Sequence, residues 1–400
     1  MELHVTHENR LPVAERKIEI VERKGLGHPD QICDSIAEAI SVKLAFEYER
    51  RFGAILHYNV DKIFLAAGRS KTKFGGGEVK VPITLVFGDR ATNKVGEEEI
   101  DLNSLVVNTA KDWIRQNLRF LDPELHVRYQ VEVKPVAENL AEIFRRAKSG
   151  ILPANDTSAV VGYAPLTPTE KLVLDLERFL NSRKFKREFP FTGEDVKVMG
   201  RRVGEEISLT IAMSFVDRFV ESETDYFQKK ELVLDSVNDW LGERGCEFNY
   251  KITLNVLDER GKGEVGCYLT VTGTSAEAGD SGEVGRGNGV NGLIVLSRPM
   301  GKEAAAGKNP VSHTGKIYNV LANCLARKIY EHVKCKEVYV WMLSSIGRPI
   351  SDPSLVHVEL VREFPLRSEE MREIEEIVRE ELEEISEFCR ELAKGKFPVS

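Results

Sequence analysis

The chain lacks any long apolar run. Nowhere in its 400 residues does a stretch approach the ~18–20 apolar residues that a bilayer-spanning helix needs, so no membrane association is expected. Residues Met1–Arg10 are polar and carry no apolar core of a secretory signal. Cysteine is sparse: Cys33, Cys246, Cys267, Cys324, Cys335 and Cys389 are scattered, with no C-x-x-C pair and no zinc spacing. No disulfide framework is implied, and a reducing, cytoplasmic setting is expected. Positive charge is not in excess, with 56 Lys and Arg against 64 Asp and Glu and a net charge of −8. Wholesale binding to nucleic acid or to an anionic membrane is therefore not expected, although a local basic pocket for a small polyanion is compatible with it. Only four glutamines occur amid abundant Glu, Lys and Arg, a bias shared with thermophilic proteins. The phosphate-loop pattern G-x-x-x-x-G-K-[ST] is also missing.

What is present is an alternation of helical and extended patterns. At about 150 residues per domain the length suggests two or three domains. Ile32, Ile36, Ile40, Leu44 and Tyr48 form a four-residue stripe, predicting a helix from Pro29 to just before Gly53. Thr167-Pro168-Thr169-Glu170 is a capping box opening a second helix. A third is predicted from about Thr314, and a long acidic one from Ser368 through Leu392. Strands are predicted at Val81–Phe87, Val127–Val133, Ile207–Phe215, Lys251–Leu257, Tyr268–Thr272, Leu293–Leu296 and Val338–Met342. The alternation of Ile207, Leu209, Ile211, Met213 and Phe215 with smaller, more polar residues implies a one-sided sheet. The class is therefore α+β, with mixed or antiparallel sheets backed by helices.

Four segments carry chemistry. Glu22-Arg23-Lys24-Gly25-Leu26-Gly27-His28-Pro29-Asp30 sets glycines, a histidine and a carboxylate at a helix start, where anions are attracted. His28 can donate to an oxyanion and Asp30 can hold a hard metal; a plain helix cap is the alternative for Asp30. Ala154-Asn155-Asp156-Thr157-Ser158 precedes a short apolar strand and also suits a simple turn. Asp195 and Lys197 lie two apart in an extended segment, on one face, as a surface ion pair would. Gly279-Asp280-Ser281-Gly282-Glu283-Val284-Gly285-Arg286-Gly287-Asn288-Gly289 leads to a stretch containing Lys302 and Lys308. Glycines that admit close backbone approach, cations and a metal-type aspartate together suggest a polyphosphate–magnesium cradle. Gly287–Gly292 matches G-x-G-x-x-G, but the following Leu293–Leu296 reads as a strand where a dinucleotide site needs a helix.

Taken together and in this order, Gly-His-Pro-Asp, Asn-Asp-Thr-Ser with Gly-Tyr-Ala-Pro-Leu, Gly-Glu-Asp-Val-Lys-Val-Met-Gly and Ala-Gly-Lys-Asn-Pro resemble the S-adenosylmethionine synthetases (methionine adenosyltransferases) of archaeal type, over nearly the whole chain. The resemblance implies three α/β subdomains in a pseudo-threefold arrangement, divided approximately as 1–125, 126–260 and 261–400. It implies a homodimer with active sites between subunits. The expected reaction is synthesis of S-adenosylmethionine from ATP and methionine, with Mg2+ and commonly K+. By motif, His28, Lys197, Arg286 and Lys308 are implied as catalytic. Glu22, Asp156, Asp195 and Lys302 are implied in binding ATP or substrate, and Asp30 and Asp280 as metal ligands. Gln31, Ser312, Thr314 and Arg69 depart from the bacterial and eukaryotic pattern. The competing functions are an ATP-dependent kinase or ligase and a regulatory ATP-binding protein.

Overall fold

The computed structural model of the protein describes residues 1–136 and 152–400. The strands of its three larger sheets are, in chain order, β1 (Glu2–Glu8), β2 (Ile18–Lys24), β3 (Ile63–Ala66), β4 (Ile83–Phe87), β5 (Val127–Val131), β6 (Ala159–Ala164), β7 (Thr192–Val203), β8 (Glu206–Val216), β9 (Asn249–Leu254), β10 (Leu269–Thr270), β11 (Gly282–Glu283), β12 (Ile294–Val295), β13 (Glu337–Leu343) and β14 (Leu355–Val361). The helices are α1 (Pro29–Phe52), α2 (Leu102–Asn117), α3 (Pro168–Leu180), α4 (Arg183–Glu188), α5 (Glu223–Glu243), α6 (Thr314–His332), α7 (Ser368–Glu383) and α8 (Ile385–Ala393).

One sheet runs β1-β14-β13-β6, the second β9-β8-β7-β2-β12 with β10 also on β8, and the third β5-β4-β3-β11. The pairs β1/β14, β8/β9 and β4/β5 are parallel, whereas β7 lies antiparallel to both β8 and β2. These are mixed sheets backed by helices, so the chain has the expected α+β class. Each of these three sheets joins strands that are far apart in the chain; β1 and β14, for example, meet across some 350 positions of sequence.

The helices follow local rules. Pro29 opens α1 and Gly53, at φ 69°, closes it by accepting the left-handed conformation that a C-cap requires. Ile32, Ile36, Ile40, Leu44 and Tyr48 are fully buried. Each of the aliphatic ones contributes about 1.5–3 kcal/mol of burial. Thr167 and Glu170 form the capping box of α3 as the sequence predicts. The single acidic helix expected from Ser368 to Leu392 is two helices instead, broken at Glu384 (φ −87°, ψ 5°). The break lets α7 lie on α6 while α8 turns onto α1, so the whole stripe from Ile374 to Leu392 is buried.

Two cores result. One gathers α1, α2, α6, α7 and α8 with the first and third sheets; the other fills the space between the second sheet and α3, α4 and α5. Val21 of β2 belongs to the second core, and Ile32 of α1 to the first. The loop between β2 and α1, residues 25–28, therefore bridges the two cores.

Candidate active site

His28 is the N-cap of α1. Its Nδ1 accepts the Asp30 backbone N–H at 3.2 Å, so in the neutral ring the proton sits on Nε2. Among the described residues Nε2 has no hydrogen-bond partner. Burial holds the imidazole below its ordinary pKa against the opposing field of Asp195. The result is a neutral N–H donor at the positive end of a 24-residue helix.

The loop is held by backbone pairing to β7. Gly25 N–H donates to Val196 O at 2.6 Å, Gly27 N–H to Glu194 O at 2.9 Å, and Thr274 Oγ1 to Gly27 O at 2.6 Å. Gly27 is a true close approach, because a Cβ there would overlap the backbone of Glu194 and Asp195.

Asp195 is buried beside His28. Its Oδ2 accepts Ser275 N–H at 2.8 Å and Ser275 Oγ–H at 2.5 Å. Burial raises its carboxyl above the usual range, countered by His28. Ser275 Oγ also reaches the exposed Asp280 at 3.2 Å. Asp30 accepts the Glu283 N–H at 3.0 Å and the Lys24 ammonium at 2.9 Å, and its carboxylate lies 3.8 Å from His28. Lys197 pairs with Glu22 at 3.2 Å across the β7/β2 ladder. His28, Asp30, Asp195 and Asp280 thus form one group, with Glu22 and Lys197 along the adjoining strands.

Arg286 is exposed on a turn that α1 itself shapes. Asp34, one turn beyond Asp30, accepts the Gly285 N–H at 2.8 Å, and Lys24 Nζ donates to Arg286 O at 2.7 Å. Burial pushes the Asp34 carboxyl up to about 7. Gly285, Gly287 and Lys302 line a cavity of about 100 Å3 that also contains Asp34. Residues Gly289–Gly292 run into β12, as the strand expectation required, and not into a helix.

Asp156 and Lys308 make no hydrogen bond or ion pair with the His28 group among the described residues. Lys308 is buried between Asp61 (2.8 Å) and Glu303 (3.0 Å). Asp156 lies 3.7 Å from Nε2 of His313, the N-cap of α6, whose Nδ1 accepts the Gly315 N–H at 3.2 Å. Burial takes the His313 imidazole down to about 3. Lys316, wholly buried, pairs with Glu38 of α1 at 2.7 Å.

Ser275, Asp34, Asp61, Arg119 and Lys186 are not among the residues singled out by the sequence motifs. Asp34 carried a detectable signal, since it follows Asp30 by four residues on the helix face that meets the glycine-rich turn. The others come close to the site only through contacts distant in sequence.

Among the described residues no group of three or more His, Cys, Asp or Glu side chains is arranged as a ready metal site, and no helix is long and apolar enough to cross a membrane. All six cysteines are free.

The fold is similar to that of a solved S-adenosylmethionine synthetase from Campylobacter jejuni, described as unusual. The TM-score is 0.56 at 16% identity, over 86% of this chain and 81% of that one. The model of the S-adenosylmethionine synthetase (AdoMet synthetase) family matches residues 1–396. The chain is 46% identical to the S-adenosylmethionine synthase of Pyrobaculum aerophilum over 393 residues, 97% of each chain. It is 45% identical to that of Hyperthermus butylicus over 397 residues, and 44% identical to the probable S-adenosylmethionine synthase of Aquifex aeolicus over 392 residues, again 97% of each. The chain belongs to the S-adenosylmethionine synthetase family.

Proposed function

We propose that the chain forms S-adenosylmethionine from ATP and L-methionine, with His28 at the centre of the reaction. Methionine sulfur is a neutral, soft nucleophile that needs no deprotonation. It attacks C5′ of ATP, the C5′–O bond breaks, and its electron pair leaves with the triphosphate. Catalysis then depends on donors at the leaving oxygen rather than on a general base. A neutral Nε2–H at the start of α1 suits that task, and a single well-placed donor of this kind is worth roughly 3–4 kcal/mol. The hydrogen bond from the Asp30 N–H to His28 Nδ1, which leaves Nε2 to donate, is the observation that carries this assignment.

Asp30 and Asp280 are suited to hold Mg2+. Mg2+ is commonly held by one or two carboxylates plus substrate phosphates and water, so a preformed three-ligand cluster is not needed. Asp280 is exposed, and Asp30 already carries a cation in the form of Lys24. The ion would neutralise triphosphate charge. Arg286, Lys302, Lys308 and Lys197 are assigned to the anionic chain, Glu22 and Asp195 to orienting them and the nucleotide, and Asp156 to methionine. That Asp156 and Lys308 make no hydrogen bond or ion pair with the His28 group among the described residues supports a homodimer in which one subunit's His28 group faces the other's Asp156 and Lys308.

The test uses His28→Ala and measures synthesis, hydrolysis of added triphosphate to pyrophosphate and phosphate, and melting temperature on one preparation. Synthesis should lose about 10²–10³ in kcat with little change in substrate binding. Triphosphate hydrolysis should suffer less, since a different P–O bond breaks. Normal synthesis in the folded fraction would remove His28 from the reaction.

A further inference from the structure

Strand β7 does not begin as a regular strand. Its register against β8 pairs Thr192 with Phe215 and then Val196 with Met213, so residues 193–195 oppose Ser214 alone. Such a bulge re-aims a side chain and leaves backbone groups outside the ladder. Here the re-aimed side chain is Asp195, and the freed carbonyls are met by side chains. Thr192 O accepts from the Arg119 guanidinium, Gly193 O accepts from Lys186 Nζ, and Glu194 O accepts from Gly27 N–H and from Asn181 Nδ2 at 3.1 Å.

The donors come from two directions. Arg119 follows α2 and reaches across to residues 186–194, where it also pairs with the Glu194 carboxylate and donates to Lys186 O at 3.3 Å. Lys186 rises from α4, is buried, and faces Glu194, Arg119, Glu177 and Asp195. Burial takes its ammonium down to about 7. An amine keeps N–H donors in either protonation state, so its bond to Gly193 O does not depend on charge. Glu177 in turn holds Asn181 at 2.6 Å. A buried carbonyl left without a donor is costly, so removal of either donor favours relaxation of the bulge.

We propose that Arg119 and Lys186 are positioning residues for the synthesis step: by holding the bulged carbonyls of Thr192 and Gly193 they set Glu194 O where it captures Gly27, and so fix the imidazole of His28. The proposal rests on His28 being the leaving-group donor. Both act through the loop and not on the reacting atoms.

The experiment measures kcat for S-adenosylmethionine formation and melting temperature for Lys186→Met, Lys186→Arg and Arg119→Met. The two methionine variants are then repeated in a His28→Ala background. Either methionine variant alone should lose at least ten-fold in kcat, with Lys186→Arg recovering part of the loss. Added to His28→Ala, each should cost less than about two-fold, because the group being positioned is gone. Arg119 has a side chain 32% accessible whereas Lys186 is buried, so Arg119→Met should disturb folding less and keeps the test open if Lys186→Met does not fold. An undiminished kcat in folded single variants, or the same ten-fold loss with and without His28, would overturn the proposal. If His28→Ala alone leaves synthesis intact, it is the assignment of His28 that fails.

Discussion

Two histidines solve the same residue-scale problem. His28 and His313 each cap a helix through Nδ1, each accepting the backbone N–H of the residue two positions on, and each is kept neutral by burial. A neutral imidazole so fixed presents Nε2–H only, which makes it a directional donor to anionic oxygen. The aspartates of the site differ from one another. Asp195 is enclosed and accepts two hydrogen bonds from Ser275 on Oδ2, whereas Asp280 is exposed. Asp30 is engaged by Lys24, which occupies the place of a cation. From this, Asp30→Asn and Asp280→Asn should each raise the Mg2+ concentration for half-maximal synthesis several-fold with the fold preserved, since an amide keeps the shape but not the charge of a hard ligand. A Mg2+ titration of each variant that overlays the wild type would make that aspartate a cap or loop anchor only.

At the scale of elements, the site depends on how closely the β2–α1 loop lies on β7. Gly27→Ala places a methyl group against the backbone of Glu194 and Asp195, which cannot yield as a flexible side chain would. Overpacking of this kind costs about 1–3 kcal/mol, and here the strain falls directly on His28. Thermal denaturation should register a lower midpoint, and synthesis should fall further than the loss of folded protein accounts for. An alanine variant with wild-type midpoint and rate would mean that the loop is free to lift off the strand. The elements themselves were unequally legible. α1 and α3 announce their ends through Pro29, Gly53 and the Thr167–Glu170 box, which are local signals. α5 was missed because, over its 21 residues, only Tyr226, Phe227, Val233, Val237 and Leu241 are buried, a thin stripe in a polar segment. β1 was missed because its side chains are at most half-buried; its partner is β14, some 350 positions away. The bulge in β7 has no sequence signal of its own, since the side-chain donors that meet its carbonyls come from α4 and from the segment after α2.

For the whole molecule, the four motif segments named the chemistry without revealing their distances. Local patterns placed His28 at a helix start and Asp195 in a strand. Only the sheet order, in which β2 sits between β7 and β12, brings His28 to Asp195 and Lys24 to the Arg286 turn. Interleaving of distant strands makes the loops between the two cores the common meeting ground, and membership in the S-adenosylmethionine synthetase family agrees with what that ground is built to do. The most direct test of the account is product analysis of the purified full chain with ATP, radiolabelled methionine and Mg2+. S-adenosylmethionine should appear together with pyrophosphate and phosphate. Accumulation of ADP or AMP as the main nucleotide product, with label remaining in methionine, would contradict C5′–O cleavage and favour a kinase or ligase.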